Sequence, residues 1–245
     1  MKICVTSWHR TDFLYKVLET IAARTHDPHV IVYDNGSDPQ ERLQLVEWHR
    51  QGFIHDLLLS NRNAGVTLPK RVFHELAKFD GDEFYVVTDN DFLCPVGWLD
   101  SLIDIMRRHP DLGVLAPQYW PQWPMETGDA DNEVVYCRAI GNTFKLVRTE
   151  AADPFFRQTH FSPYGDDGAL SHNMAKNGWR LGFCRDVWCY NLEQTMPNWG
   201  YKNGEERCDP RRAQGYAAQP EPYTPVSWET LEPPEHLKWR PGGNQ

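Results

Sequence analysis

The 245-residue chain lacks an excess of positive charge: 25 Lys and Arg stand against 34 Asp and Glu, for a formal net charge of -9. A nucleic-acid binder needs a basic stripe to displace phosphate counterions, so that class is excluded. No segment approaches the ~18 consecutive apolar residues of a membrane helix. The six cysteines (Cys4, Cys94, Cys137, Cys184, Cys189, Cys208) contain no CxxC pair and read as reduced, buried thiols. No signal-peptide core follows Met1, and the expectation is a cytoplasmic protein. GxGxxG, P-loop, GxSxG and HExxH motifs are all missing, as is zinc-finger spacing. No internal repeat is visible.

What is there alternates. Apolar runs at Lys2–Ser7, His29–Tyr33, Ile54–Leu59, Glu83–Thr88 and Gly113–Ala116 predict strands. Between them, Asp12–Arg24, Gln40–Arg50, Leu68–Phe79 and Trp98–Arg108 carry apolar residues at helical spacing, with Thr11 or Asp12 as the cap of the first. Strands alternating with helices imply βαβ units, an α/β fold and a mostly parallel sheet. After Ala116, Gln118–Asn132 reads as a loop. Strands at Val134–Cys137, Phe144–Val147, Leu181–Cys184 and Val187–Tyr190 and a helix at Ala169–Asn177 follow. The division expected is a domain over 1–203, with halves at 1–117 and 118–203, and a Pro-rich extension over 204–245.

Ligands of such sheets bind at the carboxyl ends of the strands. Asp89-Asn90-Asp91 follows one of them, and two carboxylates so close repel unless a cation lies between. Mg²⁺ and Mn²⁺ take one or two carboxylates plus phosphate oxygens. A solvated turn is the plain alternative. Gly165-Asp166-Asp167 opens the Ala169–Asn177 helix, where one Asp serves as an N-cap. The other reading is a general base whose pKa is raised by its carboxylate neighbour. Spacing leaves both open. Trp120 and Trp123 suit sugar stacking, but core or loop packing is the stronger reading, and His172 reads as a surface or packed residue and not as a ligand.

Five motifs in order carry a resemblance: Val5-Thr6-Ser7-Trp8-His9-Arg10, Tyr33-Asp34-Asn35-Gly36-Ser37-Asp38, Asn61-Arg62-Asn63-Ala64-Gly65, Thr88-Asp89-Asn90-Asp91 and Gly165-Asp166-Asp167. Over about residues 1–195 the chain resembles the family 2 glycosyltransferases of GT-A fold. The resemblance implies a Rossmann-like central sheet flanked by helices and a hexosyltransferase-type activity. It also implies a nucleoside-diphosphate-sugar donor and a glycan, lipid-linked or other hydroxyl acceptor. Thr6 then contacts the nucleoside, with His9 and Arg10 in the same loop, though His9 stands where Asn is common. Asp34 accepts from the base, which favours a UDP or dTDP donor, and Lys70 lies near base and diphosphate. Asp89 and Asp91 match the DxD motif that holds Mn²⁺ or Mg²⁺, with Asn90 between them. Asn191 stands where the family often has a His ligand. Asp167 matches the catalytic base of an inverting reaction, beside Asp166. The competing classes are a nucleotidyltransferase, which would need a Gly-rich basic loop after the first strand, and a non-catalytic sugar-nucleotide or glycan-binding module.

Overall fold

The computed structural model describes residues 1–120, 130–141, 144–157 and 166–192. In chain order the elements are β1 (Lys2–Ser7), α1 (Thr11–Arg24), β2 (His29–Asp34), α2 (Pro39–Arg50), β3 (Asp56–Leu59), α3 (Thr67–Phe79), β4 (Phe84–Asp89), β5 (Phe92–Leu93), α4 (Trp98–Arg108), β6 (Leu112–Trp120), β7 (Val134–Cys137), β8 (Lys145–Arg148), α5 (Thr149–Phe156), α6 (Asp166–Lys176) and β9 (Arg180–Asn191). One sheet runs β3-β2-β1-β4-β8-β6-β9-β5, with β7 added on β9. Pairing is parallel from β3 through β4 and again between β6 and β9. Antiparallel pairs enter with β8, β5 and β7.

Both faces of the sheet are covered, which is why its strands read as near-continuous apolar runs. One layer packs α1 and α4 through Phe13, Leu14, Val17, Trp98 and Leu102 onto Ile3, Val5 and Val86. The opposite layer packs α3, α5 and α6 through Phe73, Ala77, Phe155 and Met174 onto Cys4, Tyr85 and Val87. Cys4, Cys94, Cys184 and Cys189 are buried and Cys137 partly so, all as free thiols. Burial pushes Cys184 up to about 11 and Cys94 to about 12, so they are inert packing groups.

Four elements differ from the sequence pattern. The Leu181–Cys184 and Val187–Tyr190 segments form one strand, β9, whose pairing with β6 shifts register between Pro117 and Gln118. That irregularity brings exposed Arg185 and Asp186 into the middle of the strand and breaks its apolar run. β6 extends to Trp120, into the segment expected to be loop. β5 is too short to leave a pattern. Helix α5 is hidden by Pro154 inside it, and its Ala151, Ala152, Phe155 and Phe156 are buried. The expected Thr11 or Asp12 cap of α1 is also replaced: Arg10 holds the N-cap position in left-handed geometry, with no side-chain cap bond. Its carbonyl accepts from the N–H groups of Phe13 and Leu14, leaving Asp12 only the Phe13 N–H at 3.1 Å.

Candidate active site

β1 lies between β2 and β4, so the chain's crossovers diverge on either side of it. Such a switch point opens a crevice at the carboxyl ends of the strands. Register puts Thr6 beside Asp89 and Ser7 beside Asp34 at that edge. The Thr6 and Ser7 hydroxyls are buried, and neither makes a hydrogen bond among the described residues. Buried polar groups are rarely left so, and Thr6 Oγ1 is thereby suited to a ligand's polar edge.

The loop after β1 is strained. His9 and Arg10 both have positive φ, 57° and 56°, a conformation costly for residues with a Cβ. Three contacts hold it. Asn90 Nδ2 donates to the His9 carbonyl at 3.0 Å, and Arg10 Nη2 donates to Asn90 Oδ1 at 3.2 Å. The His9 N–H donates to Ser37 Oγ at 2.8 Å. Asn90 is therefore the clip between the DxD segment and the first loop. The His9 ring meets Glu41 at 2.7 Å, and Glu41 closes the capping box of α2 with Asp38.

Two of the sequence motifs clasp each other. Asn35 Nδ2 donates to Asn63 Oδ1 and to the Gly65 carbonyl, while Asn35 Oδ1 accepts from the Ala64 N–H. Gly36, at φ +92°, sits so close that a Cβ would lie 2.5 Å from the Arg62 carbonyl carbon. Asp34 is wholly enclosed by this arrangement, with 0% side-chain exposure. It accepts from the Ser37 N–H at 3.1 Å and from Arg42 Nε at 3.0 Å.

Asp89 and Asp91 stand at the mouth of the crevice. Burial pushes the Asp89 carboxyl up to about 6; Lys70, Lys145 and Arg10 pull it down, and Asp167 adds to the rise. Asp91 lies 3.8 Å from Arg10 Nη1. Asn191, buried at the end of β9, pairs with Phe92, and the adjoining Leu192 N–H donates to the Asp91 carbonyl at 2.7 Å. The sheet therefore gathers Asp89, Asp91 and Asn191 at one edge. An all-oxygen set with two carboxylates, one of them raised by burial, fits a hard divalent ion.

Asp167, in the first turn of α6, is where the structure departs most from the sequence reading. Its Oδ1 accepts from Lys70 Nζ at 2.9 Å and from Lys145 Nζ at 2.7 Å. Burial alone would raise this carboxyl, but the Lys145 and Lys70 charges outweigh it and hold Asp167 below its ordinary range. The expected elevation is thus reversed, because two ammonium groups meet this carboxylate. The Asp166 side chain, Gly165, the Trp120 side chain and residues 121–129 and 193–245 lie outside the described residues. His172 is exposed, the first of the two readings the sequence allowed. The residue missed in the sequence is Lys145. Its one signal was a lysine in the otherwise apolar strand Phe144–Val147.

Residues 2–168 match the family described as Glycosyl transferase family 2. Glucosyl-dolichyl phosphate glucuronosyltransferase of Haloferax volcanii is 25% identical over 125 residues, 49% of this chain and 38% of the relative. The chain thus spans well under half of that protein. Among solved structures, S. aureus TarS 1-349 in complex with UDP-GlcNAc superposes with a TM-score of 0.61 at 17% identity, over 78% of this chain and 58% of that one. The mannosyltransferase PcManGT of Pyrobaculum calidifontis, in complex with GDP-Man and Mn²⁺, gives 0.60 at 17% identity over 82% and 58%. GalNAc-T7 with UDP, GalNAc and Mn²⁺ gives 0.61 at 13% over 78% and 43%. At these identities the superpositions establish the GT-A fold, and the family match establishes the lineage: this chain belongs to glycosyl transferase family 2.

Proposed function

We propose that the protein transfers a sugar from a nucleoside-diphosphate-sugar, of UDP or dTDP type, to an acceptor hydroxyl with inversion, and that Asp167 is the general base. The observation that carries this reading is Asp167 itself: a carboxylate 14% exposed, set at the strand-end crevice and held by two buried cations. Both ammonium groups meet Oδ1, and no hydrogen bond reaches Oδ2 among the described residues. Oδ2 is the atom left to receive the acceptor's proton. A carboxyl below its ordinary range is ionised at neutral pH, so it is ready to accept that proton as the hydroxyl attacks.

Thr6 Oγ1 offers a polar contact to the nucleoside, and Lys70 a charge to the diphosphate. Asp34 as the base-reading acceptor fits less directly, since its carboxylate is enclosed by Arg42 and the Ser37 N–H. Base recognition there needs Arg42 to yield. Asp89, Asp91 and Asn191 would hold Mn²⁺ or Mg²⁺, which when bound neutralises charge on the leaving diphosphate. Arg10 and Asn90 keep the first loop against that edge. The competing nucleotidyltransferase reading lacks support because Thr6–Asp12 contains no Gly. The binding-module reading does not account for two buried lysines converging on one carboxylate. We place the transferase domain at 1–203, the extension at 204–245, and the site of action in the cytoplasm.

A thermal-shift screen of UDP, dTDP, GDP and ADP with and without Mn²⁺ tests the donor class, because a ligand of the folded state raises its apparent stability. ADP stabilising as strongly as UDP would sink the donor assignment. Proton NMR of the transferred sugar's anomeric centre tests inversion, and a product with the donor's own configuration would end it.

A further inference from the structure

Lys145 sits inside the sheet, on a strand paired with β4 and β6, opposite Val87. Its side chain shares the face of Val147, which packs among Val114, Ile140, Phe155 and Met174. It is 3% exposed there. A buried ammonium in such surroundings is unfavourable unless paired, and a buried ion pair is seldom more stable than an apolar isostere. Leu or Met at 145 would fill the space with no desolvation cost. Stability therefore gives no reason for this lysine, whereas its contacts give one. Nζ donates to Asp167 Oδ1 at 2.7 Å and to the Gly141 carbonyl at 3.3 Å, so the ammonium is tethered at both ends.

Resting on the transferase reading above, we propose that Lys145 is the positioning residue of the base. It keeps Oδ1 of Asp167 fixed, and Oδ2 turned to the acceptor, while Lys70 is drawn to the donor's diphosphate. The two lysines meet the same oxygen from different elements. Lys70 is in the first turns of α3, a helix laid on the sheet; Lys145 opens β8, in register with Val87 of β4, and its Nζ is also bonded to the Gly141 carbonyl. Sharing one carboxylate in the free protein then becomes a division of labour in the complex.

The test reads the lysine ammonium resonances of full-length protein carrying ¹⁵N in its lysine side chains, assigned with Lys70→Met and Lys145→Met. Asp167→Asn should shift both resonances. Saturating UDP with Mg²⁺ should move the Lys70 resonance and leave that of Lys145 in place. A Lys145 resonance indifferent to Asp167→Asn, or moved by UDP as far as that of Lys70, would overturn the proposal. In calorimetry Lys145→Met should leave UDP affinity within about threefold, while UDP release from a UDP-sugar falls about 10–100-fold. Lys145→Arg, which keeps the charge and is the control if the Met variant folds poorly, should recover most of that turnover. An Arg variant as slow as Met, or a Met variant as fast as wild type, would equally overturn it. Asp167→Asn separates the two levels. Full turnover in that variant removes the base reading itself, whereas a slow Asp167→Asn beside a normal Lys145→Met removes only the role of Lys145. If neither UDP nor GDP binds, the transfer reading fails and takes this proposal with it.

Discussion

Asp34, buried, and Asp167, partly buried, are carboxylates that meet cations at the same end of the sheet, yet they are built in opposite ways. Asp34 is closed by its own neighbourhood: Ser37 is three residues away and Arg42 eight. Asp167 is held from a distance, by Lys145 22 residues before it and Lys70 97 before it. Asp34 has no surface left for a ligand, while Asp167 keeps some. The first arrangement makes a rigid turn. The second suspends a carboxylate between α3 and β8, elements remote in sequence, without filling the space around it.

The largest effect that would break this contrast is at Asp167. Asp167→Asn should lower sugar transfer about 10²–10⁴-fold, since an amide accepts no proton. It should also lower stability, by about 1–3 kcal/mol, because two buried ammonium groups lose their counter-charge. That cost, read from urea unfolding, replaces the near-normal stability that a simple helix cap would predict. An unchanged unfolding midpoint would mean that the lysines do not depend on Asp167.

Asp34→Ala should act on the fold before it acts on the donor. Losing the Ser37 N–H and Arg42 contacts of a fully enclosed carboxylate should cost about 2–3 kcal/mol. A variant that unfolds normally but binds UDP ten times more weakly would support Asp34 as the reader of the base, with Arg42 yielding to the donor.

Asp91→Ala sharpens the comparison at the crevice mouth. UDP affinity in Mn²⁺ should drop about tenfold and lose most of its dependence on the ion, as seen by calorimetry with and without EDTA. Equal affinity in EDTA for wild type would return Asp89–Asp91 to an ordinary turn.

The smallest effect is with pH, and the two site carboxylates should respond in opposite directions. Asp89 is raised to about 6, so the folded protein holds its proton where the unfolded chain has lost it. Its contribution to stability without ligand is full below about pH 4 and is lost as pH rises through about 6. Asp167 is lowered, so its contribution is present above the ordinary carboxylate range and disappears as the solution becomes more acid. Metal-supported UDP binding should weaken as pH falls through about 6, where Asp89 takes up its proton. Calorimetry between pH 5 and 7.5 reads this, and a flat profile would remove Asp89 from the ion's ligands.

Local patterns were legible wherever one face or one turn carried the information. Helix α4 runs over Trp98–Arg108 and strand β7 over Val134–Cys137, both as the spacing indicates. The Asp34–Asp38 turn signal corresponds to a real turn and capping box, because its partners are neighbours in sequence. Helix α5 was illegible because Pro154 disguises it, and β9 because a register shift exposes its middle. The reversed shift at Asp167 was out of reach for a related reason. Its adjacent Asp166 is visible in the sequence, whereas the two lysines that lower Asp167 arrive through α3 and β8.

By itself the sequence determined the α/β alternation, the positions of the acidic motifs and, through their order, the family. Periodicity and turn chemistry act within a few residues and survive in one dimension. Only the tertiary structure decided what surrounds each carboxylate there. It closed Asp34 with Arg42, brought Asn191 beside Asp91, and set Lys145 from an apolar strand against Asp167. Electrostatics inside a protein depends on distance and burial, and sheet pairing between remote segments is what sets both.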